Sequence, residues 1–198
     1  VDNVCIGCAG GVHMDIVVPV SWKKAKVATK TISGLPGGHS GEDIDKNRPN
    51  AILQAIKGEE AIGAINGGTA MNAIPRQATV VVPGNDDGQL LDDESNKRVL
   101  ALLRSIPNGV IRKEESVITS NNIGVIATKD NQIIITVFVR SAQVNDKQRV
   151  VDTINELAQT YNAHVQIHSD MPPWQPEKTH LLSQYQSCHP VKARVVHG

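Results

Sequence analysis

The residues best placed to do chemistry begin with His39. It stands in the string LPGGHSGEDI, residues 35–44, between two glycines and a Ser-Gly pair. A strand-like run ends there and a helix-like run begins. Glycines on either side keep side chains clear, so backbone can come close to a ligand. An imidazole on such an exposed turn is placed to bind or to catalyse; the competing reading is a hydrogen-bonded histidine packed in the core. Arg140 closes the apolar run IIITVFVR. A guanidinium at a strand end can grip a carboxylate with two parallel hydrogen bonds, and the alternative is a surface ion pair. Asn72 lies in GGTAMNAIPRQA, residues 67–78, and Asn122 lies in SNNIGVI. Each can contact a substrate or simply hold a turn through its side-chain amide. Ser40 and Thr69 are secondary hydrogen-bonding candidates. Ser40 with Asp43 three positions on also fits a helix capping box.

Metal ligation is less well supported. The chain has seven histidines, none in an H-x-x-E-H spacing, although His13 and Asp15 form an H-x-D. Cys5 and Cys8 form a C-x-x-C pair, a redox or zinc pattern in other settings. No second pair follows, and Cys188 is remote beside His189. Two small residues on one strand is the plainer reading. Three cysteines are an odd count, which argues against a disulfide framework and suits a reducing cytosol.

The elements that must position these residues follow from periodicity. Residues 22–33 alternate polar and apolar and predict a strand, with a turn over 34–41. Residues 49–57 predict a short helix with Pro49 in its first turn and Ile52, Leu53 and Ile56 inward. Strands are expected over 61–66 and 78–82, joined by GGTAMNAIP. Residues 91–106 carry helical spacing and stop at Pro107 and Gly109. Strands over 110–118, 122–127 and 132–140, a helix over 146–161 and a closing strand over 163–168 complete the pattern. The fold class is α+β, an antiparallel sheet with helices packed on one face, and the partial repeat suggests two tandem βαββ-like halves.

Composition bounds the function. With 198 residues, 40% apolar and 3% aromatic, the chain fits one domain, or one domain of two similar halves, with an aliphatic core. Twenty basic and twenty acidic residues cancel, so there is no electrostatic case for nucleic acid or an anionic membrane. No apolar run approaches the ~20 residues that span a bilayer. The start VDNVCIGCAGG lacks the basic region of a signal peptide.

Four strings, GGHSGEDI, GGTAMNAIP, VITSNNIGVI and VFVRSA, occur in an order and spacing that resembles the bacterial Xaa-His dipeptidases of the di-zinc aminoacylase/carnosinase superfamily. The opening VCIGCAGG and closing HPVKARVVHG resemble the same proteins, so the resemblance spans essentially the whole chain. It implies a longer enzyme whose catalytic domain is interrupted by a lid. On that reading residues 1–20 are a catalytic-domain stub and the approach to the lid. Residues 21–175 are the substrate-recognition lid, with halves of about 21–109 and 110–175, and residues 176–198 return to the catalytic domain.

The resemblance also implies roles. His39 becomes the oxyanion donor when the lid closes. Arg140 becomes the carboxylate clamp, with Val139 where an Asp usually precedes it. Asn122, Asn72 and Ser40 become substrate contacts, with Met71 where a basic residue is expected before Asn72. Zinc belongs to the parent enzyme and none is expected in this chain, so His13 and Asp15 receive no ligand role. The expected partners are the parent's catalytic domain, a dipeptide substrate and a homodimer mate, in the cytoplasm, with neither nucleic acid nor membrane. The isolated chain is expected to be inactive. The alternative is an assembly module without a direct substrate role.

Overall fold

The computed structural model describes residues 3–176, 180–189 and 191–198. Its strands follow, for the most part, from alternation of apolar residues, and its helices from apolar residues three or four apart. In β2 (Gly10–Pro19), Val12, Met14, Ile16 and Val18 are buried while His13, Asp15 and Val17 look to the other face. In β11 (Gln132–Ser141), Ile133, Ile135, Val137 and Val139 do the same against Ile134, Thr136, Phe138 and Arg140. A period of two sends one set into the core and leaves the other for solvent or ligand.

The remaining elements are β1 (Asn3–Cys8), β3 (Trp22–Ile32), β4 (Gly38–His39), α1 (Ala51–Ala55), β5 (Ile65–Gly67), β6 (Ala73–Ile74), β7 (Ala78–Pro83) and β8 (Asp86–Leu91). They continue with α2 (Asp93–Ser105), β9 (Gly109–Lys113), β10 (Val117–Lys129), α3 (Val144–Thr160), β12 (His164–Met171), α4 (His180–Cys188) and β13 (Lys192–Val196). Nine strands form one sheet in the order β12-β2-β11-β10-β5-β7-β3-β8, with β9 on β10. Every pairing in it is antiparallel. Two small sheets stand beside it, β4 with β6 and, in parallel, β1 with β13.

The helices press apolar faces onto this sheet, and the result is the expected α+β fold. Ala51, Ile52 and Ala55 of α1 are buried, as are Val99, Leu100, Leu102 and Leu103 of α2 and Val150, Val151, Ile154 and Ala158 of α3. They join one aliphatic core with the strands. Burying a Leu, Ile or Val side chain stabilises by about 1.5–3 kcal/mol, so this core dominates the favourable side of folding.

The sheet has two groups of four strands, β12-β2-β11-β10 and β5-β7-β3-β8. They meet at a narrow seam. Its ladder pair is Ile126 with Gly67, supplemented by Thr128, whose Oγ1 donates to the Ile65 carbonyl at 2.9 Å and accepts from its N–H at 2.8 Å. The β2 strand lies between β11 and β12. Thus the sheet takes in residues that the sequence reading placed in the approach to the lid, and one group draws on a strand from outside 110–175.

Local departures have local causes. The helix expected over 91–106 starts at Asp93, because the Asp92 side chain accepts from the Ser95 N–H at 2.8 Å. Residues 86–91 form instead an unexpected strand. Its DDGQLL sequence shows little alternation, and it is held by pairing with the lysine-rich β3, including Lys26 to Asp87 at 2.8 Å. The strand expected over 61–66 is confined to Ile65–Gly67. The capping box expected from Ser40 and Asp43 does not form. The cap of α1 is Asn50, whose Oδ1 accepts from Ile52 and Leu53, and Asp43 instead accepts from the His39 N–H. The three cysteines are free, with Cys5 and Cys8 both on β1.

Candidate functional site

His39 is presented by a tightly tied turn. Gly37 and Gly38 precede it with φ of +60° and +135°. Such backbone is open to glycine and costly for other residues, and a Cβ on Gly38 would collide with Arg48 and the Asp43 carboxylate. Asp43 organises the turn. It accepts from the His39 N–H at 2.9 Å and pairs with Lys46 at 2.6 Å and with Arg48 at 2.9 Å. The hydrogen bond from Lys46, above all, holds the Asp43 carboxyl below the usual range, assisted by the His39 N–H and by Arg48. Arg48 in turn donates to the Gly37 carbonyl at 2.5 Å.

The ring of His39 is oriented by its own turn. The Gly41 N–H donates to Nδ1 at 3.3 Å. With Nδ1 accepting, the proton of the neutral ring sits on Nε2, which is then a donor. Beside the ring lies an open cleft of about 570 Å³ lined by Gly38, His39, Thr69, Asn72, Arg76 and Gln77 among others.

The short β4–β6 ladder couples His39 to Asn72. His39 opposes Ala73, and the Ser40 N–H donates to the Asn72 carbonyl at 2.8 Å. Asn122 fixes this loop from beneath. Its amide nitrogen donates to the carbonyls of Met71 at 3.0 Å and Ala73 at 2.9 Å. Asn122 is 1% exposed and Ser40 is 1% exposed. Asn122 is therefore a brace under the cleft, whereas Asn72 lines it.

Arg140 approaches from β11. Its cross-strand neighbours are Ser120 on β10 and Gly11 on β2. Its guanidinium stacks over Phe138, 4.4 Å from the ring centre, and the Phe138 ring itself lies over Gly11, where a Cβ would stand 2.7 Å from it. Arg140 is 8% exposed, and among the described residues no carboxylate pairs with it. Its Nη1 donates to the His197 carbonyl at 3.5 Å. Burial lowers the Arg140 pKa from its ordinary value. A buried cation without a counter-ion is expensive, so this position invites an anion.

His197 completes the arrangement. Its Nε2 lies 2.8 Å from the Ser120 hydroxyl. Burial first, and then Arg140, push its pKa down to about 4, so its imidazole is neutral at pH 7. Gly198 follows and packs on His39, since a Cβ built there would stand 2.7 Å from the His39 Cε1.

Buried polar atoms without a partner mark the same region. Six such side-chain atoms occur among the described residues, and four belong to Ser40, Asn122, Arg140 and His197. Native interiors satisfy most such groups, so a concentration of exceptions calls for a ligand, a water or a closing partner. The Ser120 and His197 contributions were not evident from sequence. Ser120 lies two positions before Asn122, and His197 lies in the closing string HPVKARVVHG, so order alone gave no sign of their convergence. This cleft offers no cluster of metal ligands. Among the described residues one group of three metal-ligating side chains comes together, His13, Asp15 and His168, elsewhere on the sheet.

No protein-family model matches the chain. It is 29% identical to the cytosol non-specific dipeptidase of Escherichia coli over 231 aligned positions, covering 88% of this chain and 47% of that protein. Among solved structures, it matches an aminoacylhistidine dipeptidase from Vibrio alginolyticus with a TM-score of 0.85 and 23% identity, covering 99% of this chain and 52% of that one. A tripeptidase from Staphylococcus aureus shares the fold at a TM-score of 0.52 and 9% identity, over 99% of this chain and 40% of that one. The chain thus spans about half the length of the relatives it matches. It is a relative of the E. coli dipeptidase over most of its own length, as its four motifs indicated.

Proposed function

We propose that this chain is the lid and substrate-recognition domain of a cytoplasmic metallo-dipeptidase that hydrolyses Xaa-His type dipeptides. The observation that carries this reading is the convergence of His39 and Arg140 on one short stretch of peptide, His197 and Gly198. In the working enzyme His39 Nε2–H donates to the oxyanion that develops on the scissile carbonyl. A donor of that kind is worth about 3–4 kcal/mol. Arg140, desolvated and without a carboxylate partner, holds the substrate's C-terminal carboxylate through a two-pronged contact. Asn72 lines the cleft, while Asn122 and Ser40 keep its loop in place.

The resemblance supplies zinc in the parent enzyme, where a metal lowers the pKa of bound water and polarises the carbonyl. On the resemblance, the residues that hold that metal belong to a catalytic domain outside this chain. A homodimer accords with the resemblance and is the second reading, a module for association alone. The buried, unpaired state of Arg140 favours the substrate role, since an assembly surface has no need of it.

The test compares two proteins on an Xaa-His dipeptide with added zinc or cobalt. The 198-residue chain alone should show no turnover, and the longer protein that contains it should hydrolyse the peptide. Sustained turnover by the chain alone, or a longer protein inert toward dipeptides, would overturn the reading.

A further inference from the structure

The face of the sheet that carries Arg140 and Phe138 carries a second group of functional side chains. His13 and Asp15 are two apart on β2, so both point to the same side. The neighbouring strand β12 pairs with β2, and its register shifts between Ile167 and Ser169. That irregularity leaves His168 unpaired between the Ile167–Met14 and Ser169–His13 pairs, with its Nε2 on the Asp15 carboxylate. Bulges of this kind re-aim side chains. Here the bulge brings a third ligand type to the pair.

We propose that His13, Asp15 and His168 form a binding site for a first-row divalent cation of the zinc class, bridging β2 to the edge strand β12. One ligand atom from each residue lies within 4.8 Å of the others. The His168 Nε2 and the Asp15 Oδ2 are already 2.9 Å apart, and the two imidazole centroids are 4.6 Å apart. Zinc bonds of about 2.0–2.2 Å to nitrogen and oxygen set tetrahedral ligand separations of roughly 3.4 Å. The His168 side chain is 41% exposed and can swing the remaining distance.

The surroundings resemble a supported site. Thr136, the cross-strand partner of Asp15 on β11, donates its hydroxyl to Asp15 Oδ1 at 2.6 Å. That leaves Oδ2 facing His168. A hydrogen bond to the second carboxylate oxygen is the usual way that a ligating carboxylate is oriented. Two imidazoles and a carboxylate are three protein ligands, with the remaining position open to water or to a ligand from another molecule. Sequence spacing gave only His13-x-Asp15. The third ligand lies 153 positions from Asp15 and is supplied by strand pairing.

The experiment uses the 198-residue chain titrated with zinc against a chromophoric chelator, and with cobalt followed by its visible absorption. One equivalent should bind, with a cobalt spectrum of low coordination number. His13→Gln, Asp15→Asn and His168→Gln should each weaken binding at least tenfold, and Thr136→Val should weaken it less. Replacing Cys5, Cys8 and Cys188 by Ser should leave binding unchanged, which separates this site from adventitious thiol binding. Zinc should also raise the unfolding midpoint of the unaltered chain and not that of His168→Gln. His168 lies on an exposed edge, so its variant remains informative if His13→Gln fails to fold. Binding retained in His168→Gln, binding lost with the cysteines, or no binding at millimolar zinc would each overturn the proposal. None of these outcomes depends on peptidase activity.

Discussion

Arg140 donates to the carbonyl of His197, and the next residue, Gly198, packs against the imidazole of His39. Side chains from two different sheets thus touch one stretch of backbone. His39 comes from the turn tied to β6, and Arg140 from the centre of the nine-stranded sheet. Asn122 reinforces the link, since it stands on β10 beside Phe138 and reaches the loop that pairs with His39.

The first prediction concerns His39. In the longer protein, His39→Ala should lower kcat by about a hundredfold or more while KM changes little. Loss of a donor that acts mainly in the transition state has that signature. Steady-state kinetics on an Xaa-His dipeptide measure it. Unchanged kcat in a folded variant would reduce His39 to a turn residue.

Arg140 gives a contrast between stability and binding. Arg140→Met removes a buried cation with no carboxylate partner and retains apolar contact with Phe138. The variant should unfold at or above the midpoint of the unaltered chain, because replacing buried charge with apolar surface is often neutral or stabilising. In the longer protein, Arg140→Lys should raise KM at least tenfold, since an ammonium cannot reproduce the planar two-pronged contact. A structural arginine would show the reverse, a large loss of stability and little change in KM.

Much of this was legible in the sequence because it is local. The β3 strand announces itself by alternation, β11 by its apolar run, and α2 and α3 by apolar residues at helical spacing, whereas β2 was not read as a strand although Val12, Met14, Ile16 and Val18 alternate with His13, Asp15 and Val17. His39 was marked by its glycines and Arg140 by its place at the end of an apolar run. What the sequence hid depends on distant pairing. DDGQLL is a strand because it pairs along β3 from Trp22 to Val27, not because it alternates. Ser40 and Asp43 cap no helix because residues 40–47 form turns, and α1 begins only at Ala51, where the Asn50 carboxamide oxygen accepts from Ile52 and Leu53. The bulge that turns His168 toward Asp15 exists only once β12 pairs with β2.

Asn122 tests the brace beneath the cleft. Asn122→Ala leaves the Met71 and Ala73 carbonyls without their side-chain donor, at a cost of about 1–3 kcal/mol. Chemical denaturation should show that loss. Nuclear magnetic resonance should show the largest shifts in residues 71–74 and in His39, with Arg140 less affected. Shifts confined to β10 would mean that Asn122 does not support the loop.

The last prediction is a pH dependence at His197. Its folded pKa of about 4 lies below the ordinary histidine value of 6.5, through burial and the nearby Arg140. The folded protein therefore resists protonating this ring, while a detached His197 accepts the proton readily. Between pH 6.5 and about 4 the detached state binds more protons, so acidification through that window favours release of the segment. Above pH 6.5 the ring is neutral in both states and its contribution no longer varies. Protonation would also place an imidazolium beside the Arg140 guanidinium. Hydrogen exchange of β13 amides should accelerate as pH falls through this window, after correction for the intrinsic rate, and His197→Gln should remove that step. A ring that titrates near 6.5, or β13 protection that stays flat to pH 4, would show that His197 is not seated between Ser120 and Arg140.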